Sequence, residues 1–539
     1  MILGLKINHR LFYILGCAII TAGMSFSNVA MSVGAITLIV NWILEGGFKS
    51  KYKRFITNKS LLVFVGLFFL HIIGLIYTSD FAYAMNDIRI KAVLLALPII
   101  LGTMPQKFEY KDIRMLLYIF VTGVFVSSLV STGVYFHILS PEAYTNDTRQ
   151  IFILASHVRM GLMLAFSIFI LCYLFYKNNT SLKPVHTFLA VWFLFFIYIS
   201  ESFTGAVSLV GGGIILMSIY VFRLKKKPMK WVSGILAISV LTAVLLYINQ
   251  IVQKHYTPKE DKTDLAQFSP DGEKYHHDLN NDITENGYYI FKNIAPGELM
   301  ESWNKRSDID FKTGLDKNGQ AIGGTLIRYM SSKGLRKDRN GLEQLSDQDI
   351  ENIENGAANV DYAYGGISRR IDEFLFEYDV YQQDGSASGS SAIQRIEYWK
   401  TGWYIFTNNS LFGVGTGDTK AAFDKAYNSL NSNLPKEQRN RAHNQFLTFM
   451  ITFGIIGFVL SAICIFYPVL AERKQLDFLF LSFFVVGILS FLWEDTLETQ
   501  LGVTFFAFFY SLFLFGRQGK TNHLSTHQVA SDSLLDSES

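Results

Sequence analysis

Arg441-Ala442-His443-Asn444-Gln445-Phe446-Leu447 marks the boundary from which the fold is read. Upstream of it, from about 252 to 443, the chain is rich in Asn, Asp, Gly, Tyr and Lys, with sparse apolar residues. Downstream it turns apolar at once and stays so to about 470. Runs of about 17–25 apolar residues have the length that crosses a bilayer. Working outward, such runs recur at about 11–27, 28–45, 60–77, 88–104, 114–138, 151–176, 185–200, 204–222, 231–251, 444–470, 476–493 and 499–516. The chain of 539 residues is half hydrophobic and only 17% charged, against about 25% in soluble domains. The expectation is an all-α polytopic membrane protein of about twelve transmembrane helices, with a large loop domain between the ninth and tenth.

Lys6 and Arg10 ahead of the first run resemble a signal peptide. A second run follows almost immediately, with no room for a mature domain between them, so 11–27 is read as an uncleaved first span. Orientation follows from Lys and Arg in the connections. Phe48 to Arg54 (with Lys49, Lys51 and Lys53), Lys107 with Lys111 and Arg114, Lys177 with Lys183, Arg223 to Lys227, Arg473-Lys474, and Arg517 with Lys520 all fall on one side. The connections at 26–28, 201–204 and 494–498 hold no basic residue. Both termini are therefore placed in the cytoplasm and the stretch 252–443 outside. The plan is helices one to nine over 1–251, a loop domain over 252–443, helices ten to twelve over 444–516, and a disordered cytoplasmic tail over 517–539. Within the loop domain, helices are expected at about 345–355, 367–378, 391–407 and 417–430, with a flexible joint at Asp384–Ser391. The net charge of +3 gives no reason to expect nucleic acid. Cys17, Cys172 and Cys464 sit inside apolar runs and read as core residues rather than a disulfide or metal set.

Polar chemistry gathers at the outer ends of the spans. His443 opens span ten beside Asn444; it reads either as an interfacial histidine or as a base for a sugar hydroxyl. Arg395 and Trp399 are one helical turn apart. Arg395 either stacks on that ring or serves as a bidentate phosphate ligand. Gly413-Val414-Gly415-Thr416-Gly417-Asp418 lacks the lysine of a nucleotide loop and reads as a tight turn bringing backbone close to a partner. Arg89 and Lys91 open span four. Arg159 lies about 12 Å inside span six at 1.5 Å per residue, a depth at which a charge is functional by default. Glu494, Asp495 and Glu498 form the acidic connection between spans eleven and twelve. Asp278 to Asp282 hints at a calcium loop but has Ile283 where glycine is required and Tyr289 where the bidentate glutamate belongs.

Together, Arg395 with Trp399, Phe412 to Gly417, His443-Asn444-Gln445-Phe446-Leu447 and Gly454-Ile455-Ile456-Gly457 resemble the O-antigen ligase and polymerase superfamily over about 391–516. The stretch Glu494 to Thr504 is similar to the version found in Bacteroidetes-type bacteria. The resemblance implies a metal-independent, cofactor-free membrane glycosyltransferase of the GT-C type. It implies a donor glycan on undecaprenyl diphosphate and an acceptor such as lipid A–core, on the periplasmic side of the inner membrane. It assigns diphosphate contact to Arg395 and the base to His443, with Trp399, Asn444, Glu494 and Asp495 in support. The family's second arginine aligns with Phe203 here, so Arg159, Arg89, Lys91 or a loop arginine such as Arg370 is expected to replace it. Arg159 could instead pair with an outer carboxylate such as Glu494. A polymerase and a protein O-oligosaccharyltransferase share the donor and remain alternatives. A transporter predicts midplane charges and repeated halves, whereas here charges gather at span ends and no repeat is visible.

Overall fold

The computed structural model describes residues 8–139, 148–177, 181–223, 227–364, 367–385, 387, 390–473 and 476–518. The expectations for Lys6, Lys225, Lys226 and Lys474, for most of the 517–539 tail and for part of the 384–391 joint concern residues outside that set.

Each expected span coincides with a helix or a helix pair. In chain order these are α1 (His9–Gly23), α2 (Asn28–Leu44), the short basic α3 (Phe48–Thr57), α4 (Lys59–Ile73), α5 (Phe81–Lys91), α6 (Val93–Thr103), α7 (Tyr110–Tyr135), α8 (His157–Lys177), α9 (Lys183–Ile199), α10 (Phe203–Arg223) and α11 (Lys227–Tyr256). The loop segment holds α12 (Pro296–Trp303), α13 (Ile322–Ser332), α14 (Arg339–Glu343), α15 (Asp347–Glu354), α16 (Ile367–Asp384), α17 (Ser391–Asn408) and α18 (Thr419–Ser429). Then come α19 (Gln445–Ala471), α20 (Phe478–Trp493) and α21 (Gln500–Ser511). Two-residue strands β1 (Thr284–Glu285) and β2 (Tyr288–Tyr289) pair antiparallel.

The chain is thus a largely helical, multi-pass membrane protein. By length and apolarity, five described helices can cross a membrane (α7, α8, α10, α11 and α19), or six if α2 and α3, bent by 114°, form one span. The twelve expected spans are therefore twelve apolar runs, several of them on shorter helices. The run at 88–104 is divided, with α5 and α6 meeting at Ala92. α19 is kinked at Gly454, whose φ of 64° lies in the left-handed region. A Cβ there would sit 2.2 Å from Leu411 carbon and oxygen, so only glycine fits. The kink leaves carbonyls of Ile451 and Thr452 free to accept from Val414 and Gly415 N–H, both at 2.9 Å. The glycine-rich loop is thus the close-approach turn expected from sequence, serving the backbone of α19 rather than a nucleotide.

α21 is buried along its length among aromatic rings. Tyr510 stacks on Phe64 at 4.0 Å, and Phe509 meets Phe166 at 5.0 Å. A helix apolar all round belongs inside a bundle. At one end of the bundle Arg10 pairs with Asp112, Arg517 with Asp477, and Phe108 N–H with Gly516 O. At the other, Asp418 accepts from Ser79 and Asp80. Arg10 and Arg517 thus lie at the end of the bundle opposite Asp418.

α15 to α18 match the four expected loop helices. α12 to α14 were not legible, being short and set in sparse apolar sequence. They close a small core around Trp303, Leu326, Tyr329 and Leu342. α16 ties this core to the bundle. The Arg328 guanidinium lies 3.4 Å over the Phe376 ring, and His255 at the end of α11 sits between Asp372 and Asp379, 2.9 Å from each.

Candidate functional site

The site forms where α19 begins. Asn444 is its N-cap, accepting the Leu447 N–H at 3.0 Å and donating to Leu492 O at 3.1 Å; such a cap satisfies one of the helix's free donors. His443 just ahead of it has φ 45°, uncommon for a side chain larger than glycine. What holds it there is Asp495. This carboxylate accepts the N–H of His443 (3.2 Å), the N–H of Asn444 (2.9 Å) and the Thr448 hydroxyl (2.8 Å). Burial pushes the Asp495 carboxyl up, outweighing Arg441 and His443, which pull it down. A negative group at a helix start also meets the positive end of the helix dipole.

Glu494, the preceding residue, joins the two groups singled out from sequence. One carboxylate oxygen accepts from Arg395 Nη2 at 2.9 Å, and the other lies 3.2 Å from His443 Nδ1. Burial alone would raise the Glu494 carboxyl; the His443 hydrogen bond and the Arg395 charge outweigh it and hold it below the ordinary glutamate value. Facing a carboxylate, Nδ1 carries the proton in the neutral tautomer, in which Nε2 is the acceptor. Tyr398 packs against the imidazole, ring centroids 5.6 Å apart.

Trp399 lies against Trp493 at 6.2 Å, and Trp493 in turn meets Phe203 at 6.1 Å. Trp399 thus packs on an aromatic partner rather than under Arg395. Among the described residues, Arg395 Nε, Trp399 Nε1 and Trp493 Nε1 are buried donors with no acceptor. Buried donors left unpaired are costly, and these three cluster beside the Glu494 bridge.

The remaining predicted cations separate. Arg159 of α8 lines a cavity of about 20 Å³ with Thr204, Glu494, Asp495 and Thr499, room for about one water. Among the described residues it makes no hydrogen bond or ion pair within 4.0 Å. Lys91 is enclosed, with Nζ 2.6 Å from Glu498 and 2.6 Å from both Asp87 oxygens. It holds the 494–498 connection in place and is not open to a donor, because its charge is already matched by two carboxylates. Arg89 is exposed and donates to Asn86. Arg370 meets Glu201 at 2.9 Å, as does Arg369 at 3.2 Å. Glu201 stands two residues before Phe203, so the loop arginines approach the position expected to lack one.

Three residues of the site had no assigned role on sequence. Arg441 reaches Glu498 at 3.4 Å, and Gln445 both donates to Glu498 (3.1 Å) and accepts from Leu497 N–H (2.7 Å). Burial would raise the Glu498 carboxyl, but Lys91 and Arg441 outweigh it and keep it ionised. Trp493 was hidden in an apolar run. Arg441 stands two residues before His443, the one sequence signal that could have drawn attention to it.

No curated protein matches the chain. Residues 348–462 match a family model described as O-antigen ligase, a segment running from α15 into α19 that carries Arg395, Trp399, His443 and Asn444. Over this segment the chain is similar to the O-antigen ligase family.

Proposed function

We propose that the protein transfers a glycan from undecaprenyl diphosphate to lipid A–core, the reaction of an O-antigen ligase, on the periplasmic face of the bacterial inner membrane. The observation that carries this reading is the Glu494 carboxylate bridging a guanidinium and an imidazole at the mouth of α19. The family match supports ligase or polymerase chemistry in general. The basic connections face the cytoplasm, as Lys and Arg do in short loops, and the loop segment faces the periplasm.

In the proposed reaction, Nε2 of His443 takes the proton from the acceptor hydroxyl. That oxygen attacks the anomeric carbon as the bond to the diphosphate oxygen breaks, inverting the centre. Glu494 orients the imidazole and stabilises its cation, as a carboxylate behind a catalytic histidine does. Protein cations meet the charge growing on the diphosphate. Arg395 is the first, with its unpaired Nε–H and the neighbouring indole N–H groups as further donors to oxygen. Arg159 is the second, half-buried and, among the described residues, making no hydrogen bond or ion pair. The prenyl chain runs along the apolar spans.

Purified protein with donor and acceptor tests the proposal. His443→Ala is expected to lose about 10²–10⁴-fold in rate, the usual contribution of a general base, while remaining folded in the membrane. A variant keeping more than about a tenth of the rate overturns the base assignment. A deletion strain separates the acceptors. Carrier-linked long chains with bare core indicate a ligase, and core bearing a single repeat indicates a polymerase.

A further inference from the structure

A second concave site lies away from the carboxylate bridge. It is a furrow of about 740 Å³ along one face of α7, walled by Ala22 and Phe26 near the end of α1 and by Ser181 and Leu182 ahead of α9. Its floor runs from Lys111 and Arg114 through Met115 and Ile119 to Thr122 and Val126. These positions recur every three or four residues and so form one stripe of the helix. At 1.5 Å per residue the stripe is about 22 Å long, against about 30 Å for the hydrocarbon core of a bilayer. Met115 and Val126 are each 40% exposed.

The furrow is graded in polarity. One end carries the two cations, at the end of the bundle where Arg10 and Arg517 also lie; the rest is apolar apart from hydroxyls. Lys111 is 63% exposed and, among the described residues, pairs with Glu109, which Arg10 also approaches. Arg114 lies over the Tyr110 ring, and Lys183, next after Leu182, over Phe175. Arg10 and Lys111 pair with Glu109 and Asp112, and Arg114 and Lys183 bring two further positive charges to this end, so it is net positive. Long basic side chains at the edge of an apolar surface lay their stems along it and present charge at headgroup depth.

We propose that this furrow binds an anionic glycerophospholipid of the bilayer. The phosphate sits between Lys111, Arg114 and the Ser181 hydroxyl, and an acyl chain lies along Met115, Ile119 and Val126. Charge complementarity commits the site to this occupant. A free phosphate gains nothing from the apolar length of the furrow, and a zwitterionic lipid gains less from a net positive end. The inference rests on the membrane reading of the helices and not on the transfer chemistry.

The test uses the full-length protein in mild detergent. Retained lipid is quantified by mass spectrometry after extensive washing, and melting temperature is followed with added phosphatidylglycerol, phosphatidylcholine or inorganic phosphate. Wild type is expected to keep phosphatidylglycerol at about one per protein, and Lys111→Glu with Arg114→Glu to lower retention about tenfold or more. Thr122→Trp fills the furrow from an exposed position and is expected to do the same with both cations intact. Equal retention of the two lipids, or retention unchanged in either variant, overturns the proposal. So does stabilisation by phosphate alone, or a polyprenyl phosphate retained in place of the phospholipid. Neither variant changes a residue that contacts Glu494, Arg395 or His443, so loss of glycan transfer in the wild type leaves the lipid result readable.

Discussion

Replacing Glu494 with Gln keeps the outline of the side chain and removes its charge. The carboxylate is 19% exposed and holds Arg395 at 2.9 Å and His443 at 3.2 Å, with those side chains 23% and 33% exposed. A hydrogen bond to a charged group contributes about 1.5–3 kcal/mol, and partial exposure brings each of these toward the lower limit. An amide oxygen still accepts from one partner, so the net loss is about 1.5–2 kcal/mol. At ~1.4 kcal/mol per factor of ten, the expected fall is roughly 10–30-fold. It should appear in kcat, because the imidazole loses its orientation while the donor's apolar contacts are untouched. Initial rates with purified protein, undecaprenyl diphosphate-linked glycan and lipid A–core measure it, with size-exclusion chromatography to show the variant folded. A folded variant keeping more than about half the wild-type kcat would refute the claim that this carboxylate positions His443. The Glu494 carboxyl is held below its ordinary value, so the stability it contributes is present above the ordinary glutamate range and is lost only as the pH falls through the depressed value. The Gln variant should lack that stretch of acid dependence.

Arg159→Gln is expected to raise KM for the donor about tenfold with little change in melting temperature; unchanged KM with lower stability would instead place Arg159 in a structural pairing with Glu494. Asn444→Ala removes the N-cap of α19 and should cost about 1 kcal/mol, read as a lower melting temperature together with reduced kcat as His443 loosens. Gly454→Ala places a Cβ 2.2 Å from Leu411 backbone and should leave little folded protein in detergent; normal yield would show that the kink relaxes. Asp349 stands against burial, which raises its carboxyl, but Lys333, Tyr329 and Ser346 hold it at about 2. A depressed value stabilises α13 and α15 at every pH above the ordinary aspartate range and fails as pH falls toward 2. Asp349→Asn should therefore speed hydrogen exchange in those helices at pH 7 and flatten its acid dependence.

Apolar run length by itself determined where the helices are, because hydrocarbon admits only backbone that satisfies its own hydrogen bonds. α7, α8, α10, α11 and α19 each fall on an expected run. Asn444 was legible as a helix start, and Arg395 and His443 stood out as polar groups against apolar helices. Pairing was not legible, since a charge is assigned by what packing brings to it. Lys91 and Arg159 were both candidate cations for the diphosphate on sequence. Yet Lys91 meets Glu498, 407 residues away, and is consumed, whereas Arg159 faces a small cavity beside Glu494. The left-handed backbone at His443 and the break of α19 at Gly454 likewise depend on distant partners, Asp495 and the Val414–Gly415 turn. Local periodicity shows which segments must be buried; only the tertiary fold decides which buried charges neutralise one another and which are left to face a ligand.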